Sequence, residues 1–223
     1  MTLDDYESGR VTPIDVFEGR IKHWTLAFAR LLAKEKDSGI AVLLLTSSVF
    51  EPMGGVLLGS GNSESKFCAG FVRAFPDVPG SKSAEDVGKM VCDLLRDGLF
   101  HESSIKAGLI VEASDEPIRV SPGAVHVDPM LFLDVVESTF AKLCEAIRSA
   151  DPGSKARQTF DLYWSKKLED QRKYVEARLD SQALEQYATS TSTLAPIGHK
   201  ALISKADGSF IEIGESGRER PRR

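Results

Sequence analysis

Apolar positions along this chain recur mostly at three- and four-residue steps, the spacing of helices with one side turned inward. The first run opens at Thr12-Pro13, a capping residue followed by a proline whose fixed φ suits the first helical position. Phe17, Ile21, Trp24, Phe28, Leu31 and Leu32 form a stripe, and Lys22, Arg30, Lys34 and Lys36 take the other side. His23, beside the stripe, reads as a partly exposed helix residue. After a turn at Asp37-Ser38-Gly39, residues 40–50 are apolar all round apart from small hydroxyls, which predicts a helix in the middle of a bundle. Glu51 and Pro52 end or kink it, with Glu51 either a charge at a helix end facing water or a buried acid. Gly54-Gly55 and residues 59–63 read as a flexible connection. They follow a helix rather than a strand, lack the Lys-Ser/Thr of a phosphate-binding loop, and do not complete G-x-G-x-x-G. Residues 63–75 predict a short helix burying Phe67, Phe71 and Phe75, and residues 76–82 a Pro/Gly/Ser loop.

The next helix starts at Ser83, a cap with Asp86 three residues on. Its stripe is Val87, Met90, Val91, Leu94 and Leu95, and Gly98 is its stop. Beyond residue 101 the period falls to two. Residues 107–113 and 118–127 read as the strands of a hairpin joined through Ser114-Asp115-Glu116-Pro117, with an irregularity at Ser121-Pro122-Gly123. His126 lies between Val125 and Val127 and so faces away from them, as an exposed strand histidine or one near a site. Asp128-Pro129 starts another helix, whose buried side is Leu131, Val135, Phe140, Leu143, Cys144 and Ile147.

Asp151-Pro152-Gly153-Ser154 marks a boundary, with a core of residues 1–150 and an extension of residues 151–223. Residues 155–179 form a long helix with seven bases against four acids and the rings of Phe160, Tyr163, Trp164 and Tyr174 interleaved. Such a helix can lie along RNA, with bases on phosphates and rings stacked on nucleobases. The plainer reading, an amphipathic helix docking its rings on the bundle, is preferred because charge runs are so often solvated faces. Residues 190–193 are polar, residues 201–213 fit a small hairpin around Asp207-Gly208, and residues 218–223 carry four arginines at a fraying end. The fold class is therefore mainly α, a helical bundle with a hairpin insert and a C-terminal helical extension.

Composition adds limits more than direction. In 223 residues, 42% are hydrophobic and 27% charged, as in an ordinary globular protein. The net charge of −5 excludes a global nucleic-acid signature, so any RNA site must be a local patch. Cys68, Cys92 and Cys144 are odd in number and form no C-x-x-C; they fit small buried hydrophobes in a reducing cytosol, and a thiol nucleophile less well. The acidic, polar N-terminus is not expected to act as a signal peptide. The uncharged, apolar run of residues 38–50 is too short to span a bilayer. No His, Cys or Asp cluster has metal-ligand spacing, so neither metal nor cofactor is expected.

The densest chemistry sits at the end of the Ser83 helix: Arg96, Asp97 and, after three residues, His101. A histidine moves protons near neutral pH, and an arginine holds phosphate oxygens in a planar fork. Together they suit attack on a phosphodiester, for which RNA supplies its own 2′-OH. His101 would transfer the proton, Arg96 would offset charge growing on the phosphorane, and Asp97 would orient either. On an unbroken helix five residues turn about 500°, leaving Arg96 and His101 roughly 140° apart, so they converge only if the helix stops between them, at Gly98. The alternative is structural: a histidine beside Leu99 and Phe100 at a helix end also serves as a buried, hydrogen-bonded cap.

The string Arg96-Asp97-Gly98-Leu99-Phe100-His101 resembles the R-x(4–6)-H signature of the HEPN superfamily, with its polar residue after the arginine. The resemblance covers roughly residues 12–149. The strand-like insert and the extra C-terminal helix depart from a plain bundle. The resemblance implies a small helical bundle and a metal-independent, cytoplasmic endoribonuclease of toxin or phage-defence type, with Arg96, Asp97 and His101 as site residues. It also implies RNA as substrate, a homodimer in which two motifs share a cleft, and an antitoxin or defence-system partner, with no membrane or DNA role. Some HEPN relatives have lost catalysis and only bind RNA or protein, which gives the alternative of an adaptor.

Overall fold

Thr12 caps the first helix as its sequence predicts: its hydroxyl accepts from the Asp15 N–H while the Asp15 carboxylate accepts from the Thr12 N–H. From there the chain can be followed, in this computed structural model, through residues 9–81, 83–97, 108–179, 201–204 and 210–213. The expectations for residues 1–8, Gly98, His101, residues 190–193, the turn at Asp207-Gly208 and residues 218–223 lie outside these.

Helix α1 (Pro13–Ile21) passes through a π turn, π1 (Lys22–Leu26), into α2 (Ala27–Leu32). Then come α3 (Gly39–Ser47), α4 (Phe50–Leu58), α5 (Ser63–Ala74) and α6 (Ala84–Val91), which runs into a second π stretch, π2 (Cys92–Asp97). Strands β1 (Leu109–Val111), β2 (Ile118–Ser121) and β3 (Ala124–Val127) precede the long helices α7 (Pro129–Arg148) and α8 (Lys155–Leu179), and a hairpin of β4 (Ala201–Ser204) and β5 (Phe210–Ile213) follows. The chain divides into two units, Met1–Leu168 and Glu169–Arg223. In the second, β4 and β5 pair antiparallel with Ala201 opposite Ile213.

The π1 turn corrects the stripe expected for the first helix. The buried side chains are Ile14, Phe17 and Ile21, then Leu26 and Ala29, so one step of five interrupts the steps of three and four. A π turn carries an extra residue, and each residue adds about 100° of rotation. From this turn onward, the face that would have continued inward through Trp24, Phe28 and Leu31 turns out instead. Those three side chains are 69%, 55% and 57% exposed.

The break expected at Glu51-Pro52 falls earlier, at Ser48-Val49. Pro52 sits in the first turn of α4, where a missing N–H costs no hydrogen bond. Gly54 and Gly55 are therefore not loop residues. They lie buried inside α4, which packs against α5 almost backbone to backbone. A Cβ on Gly54 would stand 1.7 Å from the Lys66 carbonyl oxygen, and one on Gly70 would stand 2.1 Å from that of Phe50. The apolar segment Gly39–Leu58 has a mean hydropathy of 1.7 and is 56% buried within the bundle.

The core is aromatic. Phe50 meets Phe67, Phe71 and Phe132 with ring centres 5.2, 5.5 and 5.7 Å apart, near edge-to-face, and Phe75 stacks on Phe132 at 4.8 Å. A second group joins Phe17, Phe140, Phe160 and Trp164. The rings of the first half of α8 are thus docked on the bundle, since Phe160 and Trp164 are both buried. Along α7 the buried side is Phe132, Leu133, Val136, Phe140, Leu143, Cys144 and Ile147, whereas Leu131 and Val135, expected inside, are only half-buried.

The sheet also differs from the expected hairpin. Its order is β1-β3-β2, with β1 parallel to β3 and only β2 antiparallel to it. The tight turn is Ser121-Pro122-Gly123-Ala124, in which proline presets its φ and Gly123 takes φ +84°. Residues 114–117, expected to be that turn, instead carry β1 across. They are tied down by Asp128, whose buried carboxylate accepts N–H bonds from Ser114, Met130 and Leu131 at 2.8, 2.8 and 3.0 Å. One side chain thus caps α7 and fixes the crossover.

Gly54→Ala and Gly70→Ala are expected to cost about 1–3 kcal/mol each, because the helices must part to admit a methyl group. That outweighs the gain of up to about 1 kcal/mol in helix propensity. Gly153→Ala, with nothing within 4 Å, serves as control. Urea unfolding measures all three; an unchanged or raised midpoint for Gly70→Ala would contradict the close approach.

Candidate functional site

The helix that carries Arg96 and Asp97 is held from its start. Ser83 Oγ accepts the Asp86 N–H at 3.2 Å, and Val87, Val91, Leu94 and Leu95 enter the core. Met90, expected in that stripe, is 42% exposed. The α-helix does not run unchanged to its end. From Cys92 to Asp97 it widens into a π stretch, and Arg96 and Asp97 are its last two residues. Stretches of this kind inside helices occur often at functional sites. His101 lies outside the described residues.

A second gathering of polar groups lies on the sheet. The alternation of β2 and β3 turns Ile118, Val125 and Val127 into the core and leaves Arg119, Ser121 and His126 on the opposite face. The parallel pairing of β1 brings Glu112 to the same place. His126 Nδ1 stands 2.7 Å from Glu112 Oε1, and His126 Nε2 stands 2.8 Å from Ser121 Oγ. Arg119 Nη2 donates to the same carboxylate oxygen at 2.8 Å and lies 3.2 Å from His126 Nδ1. The hydrogen bond with His126 leads the causes that hold the Glu112 carboxyl below its ordinary range, with that from Arg119 acting the same way. In a neutral ring, a carboxylate at Glu112 accepting from Nδ1–H leaves Nε2 as the acceptor toward Ser121. His126 faces away from the valines as its position predicts, but it is not an exposed strand histidine: its side chain is only 13% exposed.

Neither Arg119 nor Ser121 was legible beside His126, because residues 118–127 read as one strand and the turn at Ser121–Ala124 reverses it. Glu112 was missed as well, because its place depends on a parallel strand that the sequence does not announce. The contacts that carry β2 lead elsewhere than Arg96: the Val120 N–H donates to the Pro79 carbonyl, just before the start of α6, whereas Arg96 lies past its other end.

Other groups are committed to the fold. Arg30 pairs with Asp134 and Glu137, and Arg148 pairs with Asp15, Glu18 and Glu145, joining α1 and α2 to α7. His23 is exposed. Among the described residues, no three His, Cys, Asp or Glu side chains gather as a metal-binding group. Against family models, curated proteins and solved structures alike, the chain has no significant match.

All three cysteines are buried, and burial pushes the Cys144 thiol up to about 12. About one thiol in 10⁴ would then be ionised at pH 8. Cys144 in the folded protein is therefore expected to resist iodoacetamide at pH 8 and to react once the chain is unfolded in urea. Mass spectrometry reads both states, and prompt alkylation of native Cys144 would contradict its packing.

Proposed function

We propose that this chain is a metal-independent endoribonuclease of HEPN type. The observation that carries the reading is the string Arg96-Asp97-Gly98-Leu99-Phe100-His101 at the end of a core-anchored helix, with its first two residues closing a π stretch. A mainly helical bundle is the setting that such a motif calls for. In the proposed reaction the 2′-OH of RNA attacks the adjacent phosphorus, His101 moves the proton, Arg96 clamps the phosphate oxygens and Asp97 orients the pair. Two copies of the chain pair about a two-fold axis so that two motifs share one cleft. The biological setting is the cytoplasm, as a toxin or phage-defence effector held by an antitoxin or defence-system partner.

One observation favours a second reading, a non-catalytic adaptor on the same bundle. Trp24, Phe28 and Leu31 form an exposed apolar row on a helix, the kind of surface that partners cover. In that case Arg96 and His101 only stabilise a turn.

Purified protein incubated with total RNA in EDTA separates the two, with His101→Ala and Arg96→Lys measured for both cleavage and melting. Cleavage is expected to fall about 10²–10⁴-fold for His101→Ala, the usual contribution of a proton-transfer group. Arg96→Lys, which keeps the charge but loses the fork, is expected to be impaired as well. Stability is expected to stay within about 0.5 kcal/mol of wild type for both. An inactive wild type whose two variants melt much lower would leave the adaptor.

A further inference from the structure

We propose that the open face of the three-stranded sheet is a second reactive centre, in which His126, oriented by Glu112, activates Ser121 as a nucleophile toward small activated carboxylic esters. Nothing in the ribonuclease reading uses these residues, and the inference stands apart from it.

The case rests on the order of the contacts. A serine hydroxyl is a weak nucleophile until a base takes its proton, and the base works best when a third group fixes its ring and tautomer. Here the chain is complete: Ser121 Oγ to His126 Nε2 at 2.8 Å, then His126 Nδ1 to Glu112 Oε1 at 2.7 Å. Arg119, 2.8 Å from the same oxygen, keeps the carboxylate charged and in place. Each member sits on a strand or directly after one, in fixed register: Arg119 opposite His126, Ser121 opposite Ala124, and Ile110 opposite His126 across the parallel pair. Ser121 closes β2 immediately before the Pro122-Gly123 turn, which holds its backbone at the turn end of the hairpin. Ile110, 40% exposed on the strand beside His126, offers the hydrocarbon of an acyl group an apolar seat.

The step balances within the site. Ser121 Oγ bonds to the carbonyl carbon as its proton passes to His126 Nε2. The ester C–O bond breaks, and the leaving alkoxide takes that proton. The acyl group stays on Ser121 until water, deprotonated by the same nitrogen, releases it as the acid and restores the hydroxyl.

A fluorophosphonate probes this chemistry directly, since the Ser121 O–P bond forms as P–F breaks, with fluoride leaving and the proton going to His126. Full-length protein treated with the probe, then digested and mapped by mass spectrometry, is expected to carry the label on Ser121. Ser121→Ala abolishes it, and His126→Gln and Glu112→Gln slow it at least tenfold. Melting curves accompany each variant, and Glu112→Gln decides the matter if His126→Gln does not fold. An unlabelled Ser121 in the wild type overturns the proposal, as does labelling at the wild-type rate in a folded His126→Gln or Glu112→Gln variant.

Discussion

Helical phase is the constraint on which this bundle depends. A helix offers the core one side, and a single inserted residue turns that side by about 100°. At π1 such an insertion lets α1 bury Ile14, Phe17 and Ile21 while α2 buries Ala29, although the sequence pattern alone would keep Trp24 and Phe28 inside. Three large apolar side chains thereby face outward. The second π stretch falls where α6 delivers Arg96 and Asp97. Both departures from regular helix thus occur beside the features that carry functional readings, the partner-type surface and the motif.

Around that frame a few polar side chains do the joining. Asp128 satisfies three backbone N–H groups from a buried position and so links the crossover after β1 to the start of α7. Arg148 bridges α7 to the first turns of α1, and Arg30 bridges α7 to α2. Glycine supplies the converse device. Gly54 and Gly70 remove side chains so that α4 and α5 meet at their backbones, with the phenylalanines of α5 packed around Phe50. The sheet then rests its apolar face on the core and carries the Glu112–His126–Ser121 chain on its opposite face.

Much of this was legible in the sequence, where the signals are local. The caps at Thr12, Ser83 and Asp128, the phenylalanine stripe of α5 and the core cysteines follow from spacing and residue type. Three features were not legible, each for a physical reason. A π turn has no residue signature, so the outward turn of Trp24, Phe28 and Leu31 could not be read from a regular period. Gly54-Gly55 carries the composition of a loop, and only the partner helix shows that it is a packing surface. The partner of β3 on one side is a parallel strand reached by a crossover, which no turn signal announces. For that reason Glu112 could not be joined to His126, and the turn at Ser121–Ala124, which reads only as an irregularity, hid Arg119 and Ser121 as its neighbours. The Arg96–His101 string was the reverse case, visible in sequence from residue types and spacing alone.

The central claim is that this string cleaves RNA through the RNA's own 2′-hydroxyl, and one substrate substitution tests it most directly. A short RNA oligonucleotide is incubated with the protein in EDTA, alongside a copy that carries 2′-deoxyribose at the nucleotide preceding the cleaved bond. Cleavage of the first to a 2′,3′-cyclic phosphate end, with the second left intact, is the predicted result. Equal cleavage of both, or of neither, would contradict it.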